Sequence, residues 1–245
     1  MKIAISGKGG VGKTTLTALL AQEAASQGLR VFAIDADPNP NLGLALAVDA
    51  EPPPLVDMTD VIEERLGALE GFFRLNPRVD DLPERFSTEQ NGIRLLVMGG
   101  IRQGGTGCAC PENTFLRSLL QHLVLARDEW VFVDLEAGLE HLGRATAQGV
   151  DALLVVVEPD RRSIETAKRI VRLADEIGLK RVYAVGNKVR DAEDQAFVTE
   201  QLSELGILAF LTESREARQA ARNGQPIADP ALAEEARRIL HTLQR

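Results

Sequence analysis

Residues 2–15 read Lys2-Ile3-Ala4-Ile5-Ser6-Gly7-Lys8-Gly9-Gly10-Val11-Gly12-Lys13-Thr14-Thr15, an apolar run that breaks into a glycine-rich turn. From Gly7 to Thr14 the spacing is G-x-x-x-x-G-K-T, the phosphate-loop pattern, and it stands between a predicted strand and a predicted helix. Glycines let the backbone wrap around a phosphate with its N–H groups pointing inward. A helix starting at Lys13 adds the positive end of its dipole to the same spot. The residues expected to bind nucleotide are Gly9, Gly10, Val11, Gly12, Lys13, Thr14 and Thr15. Lys13 is expected to reach the β- and γ-phosphates, and the Thr14 hydroxyl to sit on Mg²⁺.

Outward from this loop, short apolar runs alternate with helical patterns. The strands are predicted at 2–6, 30–34, 93–98, 130–134, 152–157, 181–186 and 207–211. The helices are predicted at about 13–27, 56–69, 112–127, 162–177, 191–205, 214–222 and 230–243. Runs such as Leu153-Leu154-Val155-Val156-Val157 read as strands buried on both faces. The alternation implies βαβ units, an α/β fold with a mainly parallel sheet flanked by helices, in one domain over 1–245. Residues 71–92, polar and carrying Pro77 and Pro83, read as an irregular surface excursion.

Ligands of such sheets bind beyond the carboxyl ends of the strands, and the acidic motifs fall there. Strand 30–34 runs into Asp35-Ala36-Asp37-Pro38-Asn39, two carboxylates suited to Mg²⁺ and water. Asp35 is expected either to support Mg²⁺ through water or to brace the loop. Strand 130–134 ends at Asp134, before Leu135-Glu136-Ala137-Gly138, where a carboxylate would take Mg²⁺ through its hydration shell. Asn187-Lys188 follows strand 181–186, and an asparagine there can also simply end a strand in a turn.

The chain has two cysteines, both in Gly107-Cys108-Ala109-Cys110-Pro111-Glu112. Pro111 suits the first position of helix 112–127, which puts both thiols at its N-terminus, where the dipole favours thiolate. Thiolates suit Zn²⁺, Ni²⁺, Cu(I) or iron–sulfur clusters. A tetrahedral site needs four ligands, and a two-fold axis beside the C-x-C would bring the missing pair from a second copy. The alternative is that both are small buried residues. A thiol–disulfide role is strained for C-x-C.

The loop GKGGVGKTT, with its additional lysine at Lys8, resembles the deviant Walker A motif of the MinD/ParA/nitrogenase iron protein superfamily. That resemblance implies a SIMIBI-like P-loop ATPase fold and a Lys8 that reaches the partner's nucleotide across a homodimer. It also implies that Asp37 orients the attacking water, which makes Lys8, Lys13 and Asp37 the catalytic set. Asp35, Asp134 and Thr14 then serve Mg²⁺, and Asn187 reads the adenine edge. With DADPN, GCACPEN and DLEAGLEHLGR, the whole chain resembles the CooC-type nickel-insertion ATPases, the maturation factors for carbon monoxide dehydrogenase and acetyl-CoA synthase. The implied cofactors are ATP and Mg²⁺, with Ni²⁺ or Zn²⁺ bound between subunits by Cys108 and Cys110. The implied client is such a nickel enzyme. Compared with the nitrogenase iron protein, Cys108 matches one cluster cysteine, but His141 stands where the second would be. That break speaks against an iron–sulfur carrier or reductase, and His141 itself reads as a polar residue without a ligand role.

Composition narrows the other readings. Net charge is −8, which disfavours non-specific nucleic-acid binding. No apolar run approaches the ~20 residues of a membrane helix, and the first residues do not read as a signal peptide, so a cytoplasmic protein is expected. A MinD-like positioning ATPase would end in a basic amphipathic helix. Here Leu232, Ala236, Ile239, Leu240 and Leu243 share one face, while Glu234, Glu235, Arg237 and Arg238 make the other face mixed in sign. That pattern predicts packing on the chain's own domain and no membrane partner.

Overall fold

The computed structural model describes residues 1–67, 74–99, 111–126, 129–139, 142 and 144–245. Eight strands form one sheet: β1 Lys2–Gly7, β2 Val31–Ala36, β3 Thr88–Gln90, β4 Ile93–Val97, β5 Trp130–Leu135, β6 Ala152–Val157, β7 Val182–Val189 and β8 Gly206–Thr212. Their spatial order is β3-β4-β2-β5-β1-β6-β7-β8. Every neighbouring pair is parallel except β3 with β4. The helices are α1 Lys13–Ser26, α2 Leu42–Ala45, α3 Thr59–Leu66, α4 Leu82–Phe86, α5 Pro111–Ala126, α6 Arg144–Ala147, α7 Arg161–Glu176, α8 Ala192–Gln201, α9 Arg215–Asn223 and α10 Pro230–Leu243.

The central strands are buried on both faces because successive side chains point to opposite sides and both sides carry helices. Ala4, Phe32, Ile34 and Val155 enter one apolar layer with Ile62 of α3, Leu119 of α5 and Ile170 of α7. Ile3, Ile5, Ala33 and Val156 enter the other with Leu16 and Leu20 of α1 and Ile239 of α10. The five apolar residues of α10 named above are all buried, and the helix packs on α1 and β8. Arg237 clamps it further, its Nε donating to the buried Glu23 of α1 at 2.8 Å. The face is therefore spent on the chain's own core. Among the described residues, no helix is long and apolar enough to cross a membrane.

Two expectations change. The 71–92 segment is not irregular throughout: it contains α4 and the antiparallel edge strand β3, and Val79 and Leu82 are core residues. Pro83 lies in the first turn of α4, where its missing N–H costs no helical bond. The strand predicted at 181–186 continues to Val189, so Asn187 and Lys188 lie within β7, where its register against β8 shifts between Gly186 and Val189.

Candidate nucleotide site

β1 delivers the glycine loop between β5 and β6, where the chain's crossovers change direction along the sheet. Gly7 is required by close approach: a Cβ there would lie 2.4 Å from the Val156 carbonyl oxygen. Gly12 has φ of 97° and leaves no room for a Cβ, which would lie 2.2 Å from Asn187 Nδ2. Gly12 is also the N-cap of α1, so no side chain caps the first-turn N–H groups, and no acidic residue lies in that turn. By contrast, Asp160 caps α7 and Asp229 caps α10 through their carboxylates. The start of α1 is thus left with donors and a positive dipole end for an anion. Lys13, in its first turn, is 7% exposed.

The acidic residues meet this loop from the adjoining strand ends. Asp35 of β2 and Asp134 of β5 are paired directly across the sheet, and Asp134 also stands opposite Ile5 of β1. Both carboxylates are buried, but they are used differently. Asp35 Oδ1 accepts from the Asp37 backbone N–H at 3.1 Å, and Oδ2 accepts from those of Asn41 and Leu42 at 2.8 Å each. Of the two roles expected for Asp35, the geometry is that of the brace, and it engages both oxygens. Burial raises its pKa to about 6 in spite of these three bonds. Removing the acceptor strands three N–H groups, so Asp35→Ala is expected to cost roughly 3 kcal/mol and to open residues 37–42 to proteolysis. Unchanged thermal stability and an unchanged cleavage pattern would refute the brace.

Asp134 is the unsatisfied member. Neither of its buried oxygens has a hydrogen bond of good geometry among the described residues. Burial raises its pKa to about 7; the adjacent Thr14 hydroxyl and Lys13 pull it down, and Asp35 and Asp37 push it up. A buried carboxylate with no well-formed hydrogen bond among the described residues, facing the P-loop threonine, fits a divalent cation held through its water shell. Asp37 follows on the braced loop, partly exposed, its Oδ1 accepting from the Asn39 N–H at 2.8 Å.

Three contacts around the loop had no signal in sequence. Ser6, buried in β1, donates its hydroxyl toward the Gly138 and Glu136 carbonyl oxygens at 2.9 and 3.2 Å, tying the loop's strand to the segment after Asp134. Lys8 Nζ lies 3.6 Å from the Asp160 carboxylate at the start of α7 in its own chain. Asn187 donates Nδ2 to the Val11 carbonyl oxygen at 2.7 Å, so its amide is engaged with the phosphate loop. Cys108, Cys110 and His141 lie outside the described residues. Among the described ones, no group of three or more histidine, cysteine, aspartate or glutamate residues could hold a metal ion.

Residues 2–227 match the profile of the CobQ/CobB/MinD/ParA nucleotide binding domain. The chain belongs to this family. As a CobQ/CobB/MinD/ParA-type protein it is 44% identical to an uncharacterised ATP-binding protein of Methanocaldococcus jannaschii, over 98% of this chain and 96% of that one. It is 42% identical to the carbon monoxide dehydrogenase accessory protein CooC of Rhodospirillum rubrum, over 99% of this chain and 96% of that one. The expected kinship with the CooC-type branch therefore holds. The fold is that of the MinD cell division protein of Aquifex aeolicus, with a TM-score of 0.69 over 98% of this chain and 96% of that one at 23% identity. The α/β P-loop architecture read from the sequence is thus the family's own.

Proposed function

We propose that this protein is an ATP-driven metallochaperone that hydrolyses ATP as a homodimer and hands Ni²⁺, or Zn²⁺ in its place, to a nickel enzyme such as carbon monoxide dehydrogenase or acetyl-CoA synthase. The observation that carries this reading is the near full-length similarity to CooC, combined with a C-x-C pair that accounts for every cysteine in the chain. In this reading the amides of residues 9–15 and the side chain of Lys13 hold the β- and γ-phosphates. Thr14 and Asp134 hold Mg²⁺, which screens the phosphate charge when bound. Asp35 acts on the metal only through the loop it braces. That loop presents Asp37 to the attacking water, and Lys8 leaves Asp160 to serve the partner's nucleotide. With Nδ2 of Asn187 engaged by the Val11 carbonyl, its Oδ1 is left to read the base.

Nickel is cargo here, not a resident cofactor, and four thiolates from two chains are its ligands. The test is metal analysis combined with sizing. One Ni²⁺ per dimer is expected, with a thiolate charge-transfer band in the near ultraviolet. Cys108→Ser or Cys110→Ser should lose the metal while keeping ATP affinity, because the P-loop is built by other elements. Binding should weaken toward acid as the thiols protonate. One metal per monomer that survives loss of both cysteines would remove the chemical basis of the proposal. The MinD-like alternative, a positioning ATPase recruited to a surface, is disfavoured by α10, whose apolar face is packed on α1 and β8.

A further inference from the structure

The geometry points to Lys188 as a positioning residue for phosphate binding: it pins the glycine loop from outside so that the loop's amides face inward. This inference rests on the nucleotide reading given above. Asn187 and Lys188, consecutive in β7, each donate to a carbonyl of consecutive loop residues. Lys188 Nζ bonds the Gly10 oxygen at 2.7 Å, and Asn187 Nδ2 bonds the Val11 oxygen at 2.7 Å. Two successive side chains of a regular strand point to opposite faces and could not both reach one loop. They do so here because the strand is bulged. Lys188 has φ of 56°, a left-handed conformation uncommon for a residue with a side chain, and the β7–β8 register slips at this point. A backbone held in a strained region needs surrounding structure to hold it. That structure is Glu158, just after β6, whose carboxylate forms a close ion pair with the Lys188 ammonium. The ammonium is thereby fixed between Glu158 and the Gly10 carbonyl.

The consequence follows from peptide geometry. In a trans peptide the carbonyl and the N–H of the next residue point in opposite directions. Holding the Gly10 and Val11 carbonyls outward turns the N–H groups of Val11 and Gly12 toward the loop interior. There, among the described residues, the Val11 N–H has only a long 3.4 Å contact, with the Lys8 carbonyl. Lys188 thus orders donors for phosphate without touching it. Its side chain also lines a cavity of about 290 Å³ together with Gly12, Thr15 and Asn187, which offers a rival role as a contact to the base.

Calorimetric titration with Mg·ATP and with Mg·tripolyphosphate, which has no base, separates the two roles. Lys188→Met keeps the stem and removes the donor. It is expected to weaken both ligands by the same factor, about tenfold, with an unfolding temperature close to wild type. Lys188→Arg, which can still donate to Gly10 and pair with Glu158, should recover most of the loss. Weakening of ATP alone would make Lys188 a base contact and overturn the inference. So would unchanged affinity for both ligands, or a loss that arginine does not rescue and that tracks a fall in stability. If the wild-type chain bound neither ligand, the nucleotide reading itself would fall, an outcome distinct from all of these.

Discussion

Lys13→Ala is expected to lower ATP turnover by at least about a hundredfold, the scale set by losing one preorganised charge at a developing transition state. The side chain is buried at the start of a helix whose N-terminus has neither a cap nor an acid. Nothing else in that turn carries positive charge, since the turn reads Lys13-Thr14-Thr15. The loop amides remain in the variant, so ATP affinity should fall less than turnover. Lys8→Ala should also be inactive, but for a different reason: the lysine lies 3.6 Å from Asp160 of its own chain, and in the proposed dimer it would work on the partner's phosphates. The two defects are therefore complementary in a mixed dimer. One composite site would carry both lysines and the other would carry neither. Random pairing of equal amounts should recover about a quarter of wild-type turnover. Turnover in Lys13→Ala equal to wild type would sink the catalytic assignment. Mixed dimers that form and show no recovery would sink the trans role of Lys8.

The architecture could be read ahead of the structure wherever burial dictated the pattern. The runs 152–157 and 2–6 are apolar on both faces because helices cover both sides of the sheet, and such strands announce themselves. Helix α10 was equally plain, because its five apolar positions lie at helical spacing and all five are buried. The reading failed where local chemistry was outvoted by packing. Pro77 and Pro83 look like breakers, yet Pro83 sits in the first turn of α4, and Val79 and Leu82, between the two prolines, are drawn into the core. At the site, residue types in the right motif single out Asp35, Asp37 and Asp134 as candidates, but not the division of labour among them. That division depends on where backbone N–H groups of residues 37, 41 and 42 end up, and the loop's path has no periodicity to read. Lys188 is hidden for the same reason: a left-handed lysine at a strand bulge has no sequence signature. Ser6 differs from any other small buried strand residue only by the two carbonyls it meets.

Asp134→Asn is expected to move function and stability in opposite directions. In the protein without nucleotide or metal, Asp134 is buried beside the Thr14 hydroxyl with neither oxygen in a well-formed hydrogen bond among the described residues, and burial sets its pKa near 7. Its unfolded value is about 3.9, so the folded chain binds the proton more tightly. The sign follows from linkage. Wild-type stability is complete below about pH 4 as far as this group is concerned, and is lost progressively as the pH rises through 7. Asparagine has nearly the same shape and no charge to desolvate. In a chelator at pH 8 the variant should therefore be more stable by about 1–3 kcal/mol, or roughly 2–8 °C in unfolding temperature for a chain of this size. At pH 5 most of that difference should vanish, because the wild-type carboxyl is then protonated. Turnover should move the other way, falling at least about a hundredfold, since an amide is a poor partner for hydrated Mg²⁺. Adding Mg·ATP should stabilise the wild type more than the variant and so narrow or reverse the gap. An Asp134→Asn protein less stable than wild type at pH 8 without ligand, or a stability difference independent of pH, would mean that the carboxylate is satisfied in the folded chain. It would then not be held in reserve for a cation.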